Sequence, residues 1–218
     1  MAGNIQVGII GLGKFGLSFG ESLMEMGHQV LGLDKDTEKV KRARHILTNV
    51  YQADNIDKTV LSQIGFKDLS HALVSVGESI TDSTMIAMYL KEFGIPDVWV
   101  KAVNEDHKKL LNKIGVNNVI IPEKIAALQL ANRLAIPGFI DYLPFDREVV
   151  LKEIIVSEWA GKNLRQVNLT NRFNAQVIAV KKINENSFRY IPKADDILLE
   201  GDILVVIGNI DMLSKIRP

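Results

Sequence analysis

The 218-residue chain contains no cysteine, which excludes disulfide frameworks and thiolate metal sites. It also carries no net charge, because 26 lysines and arginines balance 26 aspartates and glutamates. With no basic arm and no field of one sign, binding to nucleic acid is not expected. No apolar run approaches the roughly 20 residues that a membrane-spanning helix needs, and the N-terminus lacks a signal-peptide pattern. These absences fit a cytosolic protein that acts on any membrane process from outside the lipid.

Histidine, the residue that most often serves as acid or base beside a nicotinamide, is scarce and unevenly placed. All four histidines, His28, His45, His71 and His107, lie in the first half of the chain. No Ser-His-Asp, Cys-His or H-E-x-x-H constellation can be assembled. We therefore predict that the chain is not an enzyme. The leading alternative is a small NAD-dependent oxidoreductase with an unrecognised substrate lobe.

The strongest positive signal lies at the start of the chain, where the apolar run 5–10 leads into a G-x-G-x-x-G motif over 11–16. A strand, a glycine turn and a helix in this order form a site for a nucleotide's phosphates. Asp34 closes the second apolar run, where a carboxylate can accept both hydroxyls of an adenosine ribose and repels a 2′-phosphate. The motif therefore favours NAD or an adenine nucleotide over NADP. The alternative is a degenerate Rossmann fold that has lost its ligand.

The first 121 residues alternate short apolar runs with amphipathic segments. Four of the helical segments are followed directly by a glycine that can close the last turn: Gly27, Gly65, Gly94 and Gly115. The runs are too uniformly apolar for the predicted strands to have a solvent-exposed face. This indicates a parallel sheet covered on both sides. We therefore predict an α/β fold for residues 1–121, a Rossmann-type doubly wound parallel sheet.

Two further regions follow this domain. Residues 122–146 contain an apolar helical stripe (Ile125, Leu128 and 130–134), a Pro137-Gly138 break and a second short helical pattern that ends at Pro144. This pattern suits a helical crossover that packs on another subunit, and ordinary capping of the sheet explains it equally well. Residues 147–218 alternate strand patterns with short helices, which predicts a small α+β C-terminal lobe.

Candidate ligand contacts cluster where the predicted strands of the first domain end, since open α/β sheets bind ligands at that edge. For Asp54, a role as a helix N-cap competes strongly with a ligand contact, and for Gly77 a plain turn glycine is an equally good explanation. Glu123 is either a first-turn carboxylate facing the helix dipole or a group that shares a divalent cation with the phosphates. The complete predicted set of cofactor-binding residues is Gly11, Gly13, Lys14, Phe15, Gly16, Asp34, Lys35, Ala53, Asp54, Val76, Gly77, Lys101, His107 and Glu123.

These motifs resemble the RCK (regulator of potassium conductance) family, specifically the cytosolic regulatory subunits of Ktr-type potassium uptake systems. The resemblance covers nearly the whole chain and is carried by the segments 11–16, 73–78, 99–102, 113–116, 121–124, 177–181 and 200–208. It implies a gating subunit that assembles as dimers into a ring, typically an octamer, docked under a membrane channel. It also implies ATP, ADP or NAD(H) in the Rossmann cleft, with Mg²⁺ or Ca²⁺ possible at the phosphates through Glu123.

Two residues depart from the family pattern. Lys14 stands where close relatives usually have an arginine that senses the terminal phosphate, and lysine lacks the planar fork for bidentate contacts. ATP-versus-ADP discrimination is then weaker or set elsewhere. Thr170 stands where relatives often carry arginine, in a lobe that binds cyclic di-AMP in some members. The missing cation argues against that ligand in this chain.

Replacing the predicted ribose ligand tests the motif directly. We expect Asp34→Ala to abolish nucleotide affinity while leaving the fold intact, because it removes the acceptor for the ribose hydroxyls. Titration calorimetry measures this, and unchanged ATP binding in the variant would refute the assignment.

Overall fold

The computed structural model describes residues 4–76, 79–143 and 146–218. The chain divides into two compact units, with the boundary between Glu123 and Lys124. Among the described residues, no helix combines the length and the hydropathy that crossing a membrane requires.

A six-stranded sheet of parallel pairs forms the first unit, in the order β3-β2-β1-β4-β5-β6. Its strands are β1 (Gln6–Ile10), β2 (Gln29–Asp34), β3 (Asn49–Gln52), β4 (His71–Val74), β5 (Asp97–Lys101) and β6 (Asn118–Ile120). Its helices are α1 (Lys14–Glu25), α2 (Thr37–Ala43), α3 (Lys58–Gln63), α4 (Ile80–Glu92) and α5 (Glu105–Lys113). Because β1 pairs with both β2 and β4, the direction of the strand order changes at β1. In such sheets the ligand crevice lies outside the carboxyl ends of the strands at this point.

Both faces of this sheet are buried. Ile9 and Ile10 are neighbours on β1, so their side chains point to opposite faces, and both have no exposed surface. Ile10 belongs to one apolar cluster and Ile9 to another. This confirms the predicted doubly wound, Rossmann-type sheet. The four glycines predicted to end helices all adopt the left-handed conformation, with φ between 76° and 92°.

The second unit is built on an antiparallel sheet in the order β10-β9-β11-β8-β7. Its strands are β7 (Phe139–Leu143), β8 (Asp146–Ile155), β9 (Ala175–Lys181), β10 (Arg189–Tyr190) and β11 (Ile203–Asn209). Four helices accompany them: α6 (Pro122–Ala135), which starts in the first unit, α7 (Leu164–Val167), α8 (Leu169–Phe173) and α9 (Ile210–Ser214). The predicted α+β C-terminal lobe is therefore confirmed.

The second helix expected within 122–146 is wrong, because Phe139–Leu143 is the edge strand β7. Gly138 brings the chain against β8, where its carbonyl accepts a 2.7 Å hydrogen bond from the amide of Glu153. A Cβ at Gly138 would overlap the Glu153 carbonyl oxygen, so only glycine allows this approach. Phe139 then packs edge-on against Tyr142 at 5.0 Å between ring centroids. Aromatic residues favour a strand once a partner strand is present. Pro144, where the pattern ended, lies outside the described residues.

Asp202 holds the second unit together at the turn before β11. Its side chain is fully buried, and its carboxylate accepts hydrogen bonds from Lys182 Nζ at 2.7 Å and from the amides of Leu199 at 2.8 Å and Ile183 at 3.1 Å. Burial by itself raises the pKa of Asp202, but the bonds from Lys182 and the two amides outweigh it and hold that pKa below its ordinary value.

Neutralising this carboxylate should destabilise the second unit. We expect Asp202→Asn to cost about 3 kcal/mol, because the half-buried ammonium of Lys182 loses its counter-ion. Since the folded pKa is lowered, the wild-type advantage is complete above the ordinary aspartate pKa of about 3.9 and disappears as the pH falls through the folded pKa. Thermal unfolding of both proteins at several pH values measures the difference.

Asp195→Asn is the matched control. Asp195 pairs with Arg165 at 3.1 Å, but both side chains are largely exposed, so this neutralisation should change stability little. Equal losses in the two variants would contradict the role assigned to Asp202.

Candidate functional site

A cavity of about 860 Å³ lies at the carboxyl edge of the parallel sheet. It is bordered by the segments that follow β1 to β4, by the last residue of β5, by one side of α4 and by the first turn of α6. Its lining residues are Gly11, Gly13, Lys14, Phe15, Asp34, Lys35, Lys39, Asp54, Asn55, Ile56, Asp57, Ser75, Val76, Ser79, Asp82, Met85, Ile86, Tyr89, Lys101 and Glu123.

The glycine motif shapes one wall of the cavity, and its three glycines have different tasks. Gly11 has φ 97°, and a Cβ there would overlap the carbonyl of Ser75 on the neighbouring segment. A Cβ at Gly16, inside α1, would overlap the Gly11 carbonyl oxygen. Gly13 has no atom within 4 Å of a Cβ position and faces open space. Gly11 and Gly16 are therefore required by the protein's own packing, whereas Gly13 leaves room for a ligand.

The helix that follows the motif presents free amides. Gly13 is the N-cap of α1, no side chain caps this helix, and its first turn holds no acidic residue. Helices α2 to α5 of the same unit each have a side-chain cap, from Asp36, Asp57, Ser79 and Asn104. The uncapped amides and the positive end of the helix dipole therefore remain available to an anion such as a phosphate.

Asp34 is held rigidly at the end of β2. It is buried, Oδ2 accepts a 2.7 Å hydrogen bond from the Leu12 amide, and Oδ1 accepts a 2.9 Å bond from the Asp36 amide. Lys39 Nζ lies 3.8 Å from Oδ2. Each oxygen keeps a second lone pair for a ligand hydroxyl. Because Asp34 also ties the glycine turn to β2, its removal costs stability as well as affinity, so the thermal stability of Asp34→Ala has to be measured beside its binding.

The cavity lining carries charges of both signs: Lys14, Lys35, Lys39 and Lys101 lie among the carboxylates of Asp34, Asp54, Asp57, Asp82 and Glu123. Lys101 ends β5, and its Nζ lies 2.6 Å from Oε1 of Glu123 in the first turn of α6. The hydrogen bond from Lys101, followed by a backbone hydrogen bond at Glu123 itself, lowers the pKa of this carboxyl group below its ordinary value. Glu123 is therefore ionised at neutral pH.

The structure brings most of the predicted contact residues to this cavity. Of the fourteen, ten line it: Gly11, Gly13, Lys14, Phe15, Asp34, Lys35, Asp54, Val76, Lys101 and Glu123. Gly16 and Ala53 do not, since Gly16 packs against the Gly11 carbonyl and Ala53 packs on the core. Gly77 lies outside the described residues. Asp57, rather than Asp54, is the N-cap of α3, so the alternative given for Asp54 does not hold.

His107 is not brought to the cavity lining. It is 1% exposed inside the first unit, with Nδ1 accepting from the Val103 amide at 3.2 Å and Nε2 lying 3.1 Å from Ser83 Oγ. Burial lowers its pKa, so the imidazole is neutral at physiological pH. Its partners come from α4 and the β5–α5 loop, and its task is to join them.

Sequence reasoning missed the apolar side of the cavity, formed by Ile56, Met85, Ile86 and Tyr89. Three of these residues follow the helical periodicity of α4, which by itself predicts only a core-facing stripe. These residues could have been found from the chemistry of the expected ligand, because a site for a planar base needs apolar walls close to its polar groups.

Two predictions about further ligands rest on single residues. In residues 4–76, 79–143 and 146–218, no group of three or more His, Cys, Asp or Glu side chains comes together to hold a metal ion, at Glu123 or elsewhere. Thr170, on α8, donates a 3.2 Å hydrogen bond to Oε1 of Gln176.

Comparison with known proteins identifies the family to which this chain belongs. Residues 7–122 match the TrkA-N domain and residues 150–218 the TrkA-C domain. The chain is 33% identical over 208 residues to the Ktr system potassium uptake protein C of Bacillus subtilis, covering 95% of this chain and 93% of that protein. The chain therefore belongs to the family that joins a TrkA-N domain to a TrkA-C domain, which confirms the resemblance to RCK proteins.

Solved structures agree on the fold. The GsuK RCK domain superimposes with a TM-score of 0.62 at 17% identity, over 98% of this chain and 47% of that chain. The GsuK channel bound to NAD gives a TM-score of 0.53 at 16% identity, over 97% of this chain and 37% of that chain. This chain thus spans less than half the length of those solved chains.

The different tasks of the glycines can be separated by mutation. We expect Gly13→Ala to fold as the wild type does and to lose at least about tenfold in nucleotide affinity, because the added methyl enters the space beside the free amides. Gly16→Ala should instead destabilise the fold, because its methyl overlaps the protein's own backbone. Thermal unfolding and calorimetry distinguish these results, and wild-type affinity in Gly13→Ala would contradict the assignment.

Proposed function

We propose that this chain is a nucleotide-sensing regulatory subunit that controls a membrane potassium channel or transporter from the cytoplasmic side. The observation that carries the proposal is a cavity in which the uncapped end of α1 faces the same space as the fixed carboxylate of Asp34. Membership of a family that includes a Ktr potassium uptake protein supplies the physiological context.

The ligand is an adenine nucleotide, either ATP/ADP or NAD(H). Free helix amides suit phosphates, Asp34 suits unmodified ribose hydroxyls, and Ile56 and Tyr89 offer apolar walls for a base. The NAD in the GsuK channel, whose fold is similar, supports the dinucleotide. When a divalent cation is present, Glu123 and the phosphates supply oxygen ligands for it, which removes the repulsion between them.

Self-association through α6 forms part of the proposal. None of the residues of this helix is buried, and Ile125, Leu128, Leu130 and Leu134 are 59%, 48%, 62% and 88% exposed. At 100° per residue, the first two lie on one side of the helix and the last two on nearly the opposite side. A helix that is apolar on two sides is stable only when it is covered, and the occupant we propose is a second copy, in dimers that build an octameric ring.

Regulation requires that the ligand distinguish between two shapes of the ring. Ligands that bind both shapes equally shift nothing, so ATP, ADP and NADH should differ in the assembly that they favour. No histidine lines the described cavity, so the oxidoreductase alternative lacks the residue that most often serves as acid or base beside a nicotinamide.

Light-scattering mass and small-angle scattering of the full chain, with ATP, ADP, NADH or no ligand, test the proposal. For the wild type we expect a large homo-oligomer whose shape depends on the ligand. For the variant in which both Leu130 and Leu134 are replaced by Asp, we expect a smaller oligomer or a monomer. That variant should still bind nucleotide, because neither residue lines the cavity.

Two results would count against the proposal. A monomer that binds no adenine nucleotide would overturn the regulatory function. Steady turnover of NADH with a small-molecule substrate would favour the oxidoreductase instead.

A further inference from the structure

The ion pair between Lys101 and Glu123 forms part of the cavity wall. Both residues line the cavity, their charged atoms are 2.6 Å apart, and the side chains are 26% and 66% exposed. A similar pair exists elsewhere in the unit, between Lys58 Nζ and Glu92 at 2.6 Å, but neither residue lines the cavity. Lys39 and Asp34 also line the cavity, but their charged atoms are 3.8 Å apart, so the Lys101–Glu123 pair combines a short bond with a position in the cavity.

A phosphate entering this end of the cavity meets two opposite effects. The ammonium of Lys101 is a point charge suited to a phosphate oxygen, but one of its donors already bonds to Glu123. The carboxylate of Glu123 repels the same phosphate, because like charges raise each other's energy in a partly desolvated site. With two-thirds of its side chain exposed, Glu123 has solvent into which it can turn away.

We propose that Glu123 is an internal competitor of the ligand's phosphates for Lys101, so that the pair selects ligands by the negative charge they bring to this end of the cavity. The inference rests on the proposed nucleotide site. Without a divalent cation, a phosphate that reaches this end of the cavity has to displace the one carboxylate bonded to Lys101. A ligand with fewer negative charges there leaves the ion pair intact.

The competition also has a structural consequence. Glu123 is the second residue of α6, whereas Lys101 ends β5, so the ion pair ties the first turn of this helix to the parallel sheet. A phosphate that takes Lys101 releases that tie, and a ligand that leaves the pair intact preserves it. The number of phosphates in the ligand thereby determines whether the first turn of α6 stays bonded to the sheet.

The test measures binding of adenosine, ADP, ATP and inorganic tripolyphosphate by calorimetry in EDTA, with full-length protein. Glu123→Gln keeps an oxygen that can accept from Lys101 and removes the charge. We expect it to bind ATP and tripolyphosphate about 3- to 10-fold more tightly than the wild type, the size of one like-charge interaction in a partly exposed site, and adenosine equally. Glu92→Gln removes the same charge outside the cavity and should leave all four affinities unchanged.

A second comparison separates competition for Lys101 from simple repulsion. In a Lys101→Gln background, the additional Glu123→Gln change should tighten ATP binding clearly less than it does in the wild type, because direct repulsion remains but there is no ammonium left to release. A gain as large as that in the wild-type background would reduce the effect to plain repulsion and overturn the inference.

The remaining outcomes are equally decisive. If ATP binds and Glu123→Gln equals the wild type, the competition is wrong while the nucleotide site stands. If no adenine ligand binds to any of these proteins, the proposed function itself fails.

Discussion

The hydrogen bond from the Leu12 amide to Asp34 joins the two halves of the cavity. Leu12 lies in the glycine turn after β1 and Asp34 at the end of β2, so this single 2.7 Å contact sets the distance between the phosphate-facing amides and the carboxylate. The turn has no freedom to compensate, because Gly11 already lies against Ser75 and Gly16 against the Gly11 carbonyl. The amides and the carboxylate therefore hold fixed positions without a ligand, which would reduce the ordering cost of binding in the proposed function.

Charge in the cavity is arranged in pairs rather than as a uniform basic surface. Lys39 lies near Asp34 and Lys101 is bonded to Glu123, whereas Lys14 and Lys35 have no ion-pair partner among the described residues. The cavity lining contains four lysines and five carboxylates, so neither the neutral chain nor its cavity presents a strong field of one sign. Under the proposed function, a phosphate therefore meets lysines that already face carboxylates of the protein itself.

The two units are stabilised by different means. In the first unit, apolar clusters cover both faces of the sheet. Its stability therefore comes from apolar side chains buried on either side of β1. The second has one antiparallel sheet, and the turn before its central strand depends on the buried carboxylate of Asp202. Helix α6 starts in the first unit and has no buried residue, so apolar burial within the described residues contributes little to it.

Local sequence patterns determined the doubly wound sheet, the helix-ending glycines and ten of the residues that line the cavity. Glycine turns, strand–helix alternation and the position of ligand sites at the carboxyl ends of strands can all be read from residues close together in sequence. Tertiary structure decided the rest. His107 follows a predicted strand as a ligand contact would, but α4 buries it, and no local pattern shows which helix covers a neighbouring loop. Phe139–Leu143 has an ambiguous short apolar pattern that became a strand only because β8 offered a partner. The pairing of Lys101 with Glu123 joins residues from different elements, so only the folded chain brings them together.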